Sequence, residues 1–398
     1  MHPLSRHWIR AVTAALTLAA PLLPARAGLA AQEDMELRHD VTFPESFGFL
    51  QTVRPLSDGR VVVADPLGLQ LAMADIHAGT LEPLGREGGG PGEWRQPDAV
   101  YPLPGDSTLL VDLGNTRLSV IDPDGRIVDS WPMVLESDGV GPMGMEVIQP
   151  RGTDAMGRIY FQARGGMRPG GGLDSSLVRR WTPGDEGTTR VAALRPPAVA
   201  TATSGGRNDR EVRMRPVPLA PQDGWAVAAD GRVAVVRADP YRVEWIAPDG
   251  AVIRGPTLEV RAVEVGDAEK ERYLDELESG GLAVSMTDEN GVRSMSFRRG
   301  GAGGGRQQRA SQLRDLEWPE TLPAVRENGA IVAPDGRLWV RRFVAAGGPT
   351  RYDIFDRAGR RVASASLPAG RRIVGFHGDR VFAVSVDELG LHWLEAYR

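Results

Sequence analysis

Arginine is the residue type with the most chemistry on offer in this chain. Arg207, Arg210, Arg213 and Arg215 recur among prolines between Leu194 and Trp225, and Arg298, Arg299 and Arg306 flank the run Gly300-Gly301-Ala302-Gly303-Gly304-Gly305. A guanidinium presents a planar fork of donors that matches a carboxylate, sulfate or phosphate two bonds at a time. Arg207, Arg210, Arg298, Arg299 and Arg306 are therefore candidate ligand-binding residues, and Arg86, beside the stretch Gly88 to Gly92, joins them. Trp94 and Trp318 lie in segments leading into strands and could wall a pocket. Each candidate has a plainer reading beside it. A basic Gly-rich tract is also what a solvated excursion looks like, and a Trp ahead of a strand is also a packing plug.

Acid, base and metal chemistry has fewer carriers, and no residue stands out as catalytic or metal-binding. The chain has no Cys, and beyond its N-terminal segment only His39, His77, His377 and His392 remain. Tetrahedral transition-metal sites then have few ligands to draw on. His39 and His392 could approach each other if the first and last strands pair, but no third ligand is evident. There is no Gly-x-Ser-x-Gly elbow of the kind that presents a Ser nucleophile. The Gly88 to Gly92 backbone can form an anion nest, yet no Lys-Ser/Thr and no helix follow it, as a phosphate loop requires. No cofactor is expected, although Ca²⁺, which needs only oxygen ligands, stays open at acidic strand ends. Asp112, Asn115 and Arg117 form the last constellation. They can bind a ligand at a rim, or the Asp and Asn can satisfy the backbone of a turn that Arg117 braces. The same residue types recur at the same place in several units, which favours the turn.

The elements that must position these residues repeat. A Gly-containing turn, a short apolar strand, a polar turn and a second strand lead to another Asp-Gly or its equivalent. The unit is clear at Gly105-Asp106 through Gly125, at Asp230-Gly231 through Gly250 and at Asp335-Gly336 through Gly359, with weaker copies from Asp58-Gly59, Met156-Gly157 and Gly378-Asp379. Repeats of this size and content mark a propeller, and counting them predicts an all-β, six-bladed β-propeller. Runs such as Thr108-Leu109-Leu110-Val111 and Val233-Ala234-Val235-Val236 read as strands packed on both faces. The last unit stops one strand short, and the alternating Met35 to Phe43 is expected to close the ring by pairing with Leu391 to Tyr397. A helix over Gly266 to Leu277, with acidic residues at its start, falls in an insertion spanning 260–323 between the fourth and fifth blades. That insertion and the one between Leu194 and Trp225 both join an outermost strand to the next innermost strand, so both emerge on one face of the disc. Loops mounted on a rigid scaffold carry function, which makes that face the candidate binding surface, with the helix a candidate lid over the channel.

Val111-Asp112-Leu113-Gly114-Asn115-Thr116-Arg117-Leu118-Ser119-Val120-Ile121-Asp122-Pro123-Asp124-Gly125 resembles the NHL-repeat consensus. Gly85-Arg86-Glu87-Gly88-Gly89-Gly90-Pro91-Gly92-Glu93-Trp94 resembles the inter-blade segment of exported NHL-like six-bladed propellers. The resemblance is strong in the second unit and partial elsewhere, and it implies the fold rather than an activity. At the N-terminus, Arg6 and Arg10 precede the apolar stretch Ala11 to Leu23, and Ala25-Arg26-Ala27 fits a small-x-small cleavage site, so residues 1–31 read as a signal peptide. The protein is then expected in the periplasm or outside the cell, spanning no membrane after cleavage. Without Cys it must hold together by burial alone. A net charge of −5 argues against a nucleic-acid partner. These features together point to a noncatalytic binding propeller of the bacterial envelope, holding a protein, peptide or glycan on the insertion-bearing face. The alternative is a Ca- or Zn-dependent hydrolase or lyase resembling the lactonase and amidating-lyase propellers.

Overall fold

The recurring Asp-Gly turns set the frame, because each closes a hairpin with the same backbone bonds. In the fourth unit Gly231 N–H donates to Ala228 O at 2.9 Å and Ala228 N–H to Arg232 O at 2.9 Å. In the fifth, Gly336 N–H reaches Ala333 O at 2.9 Å and Ala333 N–H reaches Arg337 O at 2.9 Å. These turns need positive φ at the Gly, 81° at Gly231 and 80° at Gly336, which a Cβ would disfavour. A computed structural model of the chain describes residues 33–136, 145–164, 176–195, 198–204, 211–280, 282–289, 292–299, 313 and 316–398. The signal-peptide reading of residues 1–31 lies outside these.

Six antiparallel sheets follow one another along the chain, each ordered from the innermost strand outwards. Blades one to five begin with Val53–Pro55, Pro97–Pro102, Pro150–Thr153, Gly224–Val227 and Val325–Val332, and blade six begins with Arg372–His377. In blade six, His39–Phe47 supplies the outermost strand, antiparallel to His392–Tyr397, with His39 opposite Tyr397 and Phe47 opposite His392. That register puts His39 and His392 at opposite ends of the strand pair, so they do not form the imidazole pair considered from sequence. The chain also breaks where one continuous strand was expected. Glu33–Glu36 leaves blade six and adds in parallel to the outer strand Arg361–Leu367 of blade five, tying the two blades together.

Burial explains why the ring closes. Among the described residues there are six apolar clusters, and each fills one junction between neighbouring blades. Phe43, Val61, Ala72, Val374 and Phe382 join blade six to blade one, while Trp225, Val233 and Val235 join blade four to Tyr160 and Val178 of blade three. Strands such as Val61–Asp65 and Thr108–Asp112 are buried on both faces, as a middle layer between two blades must be. Among the described residues no apolar cluster lies within a single blade.

Antiparallel order fixes which segments share a face. Every connection from an outermost strand to the next innermost strand, and every turn between the second and third strands, lies on one face, here called the insertion face. The Asp-Gly turns lie on the other. Between blades four and five stands the helix α1, Asp267–Gly280, followed by the hairpin Leu282–Glu289 with Val292–Arg299. A second hairpin, Val199–Ser204 with Glu211–Pro216, stands between blades three and four, and a third, Val134–Glu136 with Met145–Val147, between blades two and three.

Candidate functional site

The six innermost strands surround a central cavity of about 2510 Å³, whose wall at the insertion face includes residues of α1. Glu269, Arg272 and Glu276 lie three and four residues apart and so share one face of that helix. All three hold it to blade five. Glu269 accepts from Gly266 N–H at 3.1 Å, closing the first turn as a capping box does, and accepts from Ala346 N–H at 2.9 Å. The Ala346 bond is the main reason its carboxyl sits below the ordinary Glu range. Arg272 donates to Val344 O at 2.9 Å, and Glu276 pairs with Arg326. Tyr273 on the same helix lines the cavity and meets Trp318 edge to face, ring centroids 5.6 Å apart.

Three groups of side chains face this cavity. Blades three and four supply the first. Gln162 Oε1 accepts from Arg151 Nη1 at 2.7 Å and from Trp225 Nε1 at 2.8 Å, while its Nε2 donates to Ser176 Oγ at 2.7 Å. The amide is thereby fixed in orientation, and the Arg151 guanidinium lies 5.1 Å from the Trp225 ring centre, within cation–π range. Burial lowers the Arg151 pKa, and Glu327 across the wall works against that.

The second group lies where blade six meets blade one. His392 Nδ1 accepts from Leu50 N–H at 3.0 Å, so the ring proton sits on Nε2, and the ring packs on Phe49 with centroids 4.9 Å apart. Burial, then the nearby Arg372 charge, pushes its pKa down to about 4. Near neutral pH His392 is therefore a neutral hydrogen-bond donor at Nε2 and a poor proton acceptor. Arg372 itself is held by Gln51 O at 2.8 Å and Leu50 O at 2.5 Å.

The third group belongs to blade five. Its innermost strand loses register between Val325, opposite Arg342, and Ala330, opposite Val340, so Arg326 to Gly329 bulge towards the cavity. Gly329 permits this close passage, since a Cβ there would stand 2.7 Å from Arg341 Cβ and 3.3 Å from Arg326 Cβ. Arg342 turns away to Asp353, at 2.9 Å, beside Tyr241, which donates to the same carboxylate at 2.8 Å. Arg326 lies 4.4 Å from the Phe343 ring centre.

The residues picked from sequence sit elsewhere. Arg86 is 81% exposed on the rim and pairs with Glu93 at 2.7 Å. Trp94 is 7% exposed and does not wall the cavity. It fills the junction of blades one and two against Leu84, Val100 and Leu110, with Nε1 donating to Leu84 O at 2.7 Å. Trp318 supports α1 from outside the cavity wall. Arg298 and Arg299 stand opposite Ala283 and Leu282 in the hairpin after α1. Arg207, Arg210 and Arg306 lie outside the described residues. Asp112 has no exposed surface and accepts from Arg95 N–H at 3.1 Å and Gln96 N–H at 3.0 Å. Asn115 donates to Asp112 and to Gly88 O, and Arg117 donates to Gly90 O and Glu93 O. Their bonds therefore go to the incoming inter-blade segment rather than to the turn's own backbone. Asp65 does both, taking Gly48 and Phe49 N–H from the incoming segment and Leu67 and Gly68 N–H from its turn.

Arg151, Gln162, Trp225, Arg341, Arg372 and His392 were not picked from sequence. One signal was available for Arg341. It ends the run Leu338-Trp339-Val340, which reads as buried on both faces, and a cation in such a run needs a reason to be there. Among the described residues no group of three or more His, Asp or Glu side chains is placed to hold a metal ion.

No family model matches the chain, and no curated protein matches it. Among solved structures it is similar to the calcium-binding protein regucalcin from Agrobacterium tumefaciens, at 10% identity and a TM-score of 0.38, covering 91% of this chain and 96% of that one. It is similar to a gluconolactonase from Xanthomonas campestris, at 13% identity and a TM-score of 0.39, covering 92% and 96%. A virginiamycin B lyase from Staphylococcus aureus matches at 10% identity and a TM-score of 0.37, covering 91% and 99%. At such values these likenesses carry no argument about activity, and the six-bladed fold rests on the strand pairing and the six inter-blade clusters.

Proposed function

We propose that this chain is an exported, NHL-like propeller of the bacterial envelope that binds its ligand at the insertion-face mouth of the central cavity, beneath α1. The observation that carries the reading is the convergence there of a helix pinned to one blade, an oriented Arg151–Gln162–Trp225 wall and a neutral His392 donor around one large cavity. Such a mixture of aromatic surface and few fixed polar groups is what a ligand pocket needs. The sequence reading allowed a protein, peptide or glycan anywhere on the insertion face; the geometry favours a peptide or small molecule that enters the cavity. A proton-transfer role for His392 is disfavoured by its depressed pKa.

The test is tryptophan fluorescence of the wild type against Trp225→Phe, which isolates the Trp225 signal, and hydrogen exchange of α1 during titration with envelope peptides, oligosaccharides and small organic acids. A binder that quenches Trp225 and slows exchange in Asp267–Gly280 is the expected outcome. A saturating binder that protects only the Asp-Gly face would sink the proposal.

A further inference from the structure

Arg341 lines the cavity, and among the described residues its guanidinium makes no hydrogen bond and no ion pair, although its backbone pairs with Tyr352 in the blade. Burial lowers its pKa, and the like charges of Arg326 and Arg272 act in the same direction. Arg272, reaching in from α1, has Nη1 on Val344 O while its Nη2 is buried without a partner. It too is lowered by burial and then by Arg326. The one carboxylate that counters both cations is Glu276, and Glu276 is already paired with Arg326. Three guanidinium groups thus meet at one end of the cavity, where Glu276 is held by Arg326 and Glu269, which also faces Arg272, is held by the Gly266 and Ala346 N–H groups. Elsewhere the fold behaves differently. Arg237 has Asp223 and Glu244, Arg342 and Arg361 have Asp353, and Arg371 has Glu395. A partly desolvated cation without a counter-ion is a cost to the fold, and an incoming anion removes it.

We propose that Arg341 and Arg272 form a carboxylate-binding subsite, so that the ligand of the cavity is a small organic acid. Its carboxylate accepts from the Arg341 guanidinium and from Arg272 Nη2, and the rest of the molecule extends towards Trp225. Because Arg272 belongs to α1, the same contact draws the helix onto the ligand. This assignment rests on the reading of the cavity as the ligand site.

The experiment is thermal melting of the mature protein in citrate against chloride at matched ionic strength, for the wild type, Arg341→Gln and Arg341→Lys. It is paired with phenylglyoxal labelling of Arg341 read by mass spectrometry, with hydrogen exchange of α1 and with maltotriose as a neutral probe. Citrate is expected to raise the wild-type melting temperature and slow labelling of Arg341. Arg341→Gln is expected to weaken citrate about tenfold or more, the worth of a charge-assisted bond. Without citrate it should melt no lower than wild type, because the lost charge had no partner. Arg341→Lys keeps the charge but loses the fork and should fall between the two. A citrate response that survives Arg341→Gln overturns the proposal, as does the absence of any citrate response. Stabilisation by maltotriose in both wild type and Arg341→Gln, with none by citrate, overturns the acid class while leaving the cavity reading standing. Citrate that protects Arg341 from labelling without slowing exchange in α1 overturns the helix contact.

Discussion

Asp112 makes a sharp test of whether the NHL-like turn residues hold the ring together or hold a ligand. It has no exposed surface and accepts from two backbone N–H groups at 3.0 and 3.1 Å and from Asn115 Nδ2 at 2.7 Å, with Arg117 Nε 3.5 Å away. Asp112→Ala strands those donors at a site that water does not reach. Removing one member of a buried charged network costs about 3–5 kcal/mol, and the bonds counted here support the middle of that range. Asp112→Asn keeps an oxygen for the two N–H groups but loses the attraction to Arg117 and turns the acceptor of the Asn115 bond into a second donor, so about 2–3 kcal/mol is expected. Asp65 serves four backbone N–H groups, at 2.6 to 3.0 Å, so Asp65→Ala should cost at least as much as Asp112→Ala. Equilibrium urea unfolding followed by circular dichroism measures all three. A loss below about 1 kcal/mol for Asp112→Ala, or lost ligand affinity with an unchanged urea midpoint, would refute the structural reasoning.

Three further outcomes are expected. His392 has its folded pKa pushed down to about 4, so between the ordinary His value and that point the unfolded chain binds the extra proton. Its contribution is full above pH 6.5 and is lost as pH falls towards 4, by up to about 3 kcal/mol, and His392→Gln should flatten the change in urea midpoint between pH 7.5 and 5. Glu269→Ala removes both the cap and the Ala346 anchor of α1, so hydrogen exchange in Asp267–Gly280 should speed up while the ring melts at nearly the same temperature; a large drop in ring stability would show that α1 is part of the core. Gly329→Ala forces a Cβ to 2.7 Å from Arg341 Cβ and should destabilise by about 1–3 kcal/mol, read in the same urea titration.

The scaffold was legible because its signals are local and repeated. Positive-φ Gly at Gly231 and Gly336, and apolar runs such as Val233-Ala234-Val235-Val236, each specify a turn or a doubly buried strand within a few residues, and six copies reinforce one another. The helix was legible from its acidic first turn; the expected Gly266 to Leu277 starts one residue early and ends three short of the observed Asp267–Gly280. The site was not legible in the same way. Arg151, Trp225, Arg341 and His392 come from four different blades, separated by up to hundreds of residues, and what they share is a place on the channel wall rather than a spacing. Trp94 misled because a Trp before a strand carries no mark of whether it faces the channel or the seam between blades. Its indole N–H satisfied by Leu84 O shows the seam, and only the fold reveals that bond.

In a chain this rich in arginine, the number of guanidinium groups says little about binding, because most of those described stabilise the blades. Arg237, Arg342 and Arg371 each face a buried carboxylate of Asp223, Glu244, Asp353 or Glu395, so their charge is already answered within the fold. Arg86 meets Glu93 at the rim, where solvent screens the pair. What distinguishes a binding cation from a structural one is the combination of partial desolvation with a missing counter-charge, since a structural role would have been served better by a carboxylate or by an apolar side chain of the same bulk. Among the described residues Arg341 meets both conditions, and Arg272 meets them at one nitrogen. The effect of Arg341→Gln on the ligand-free protein therefore turns on a sign. If Arg341 were structural, its replacement by Gln would lower the melting temperature of the ligand-free protein; if it waits for an anion, the same replacement leaves that temperature level or raises it.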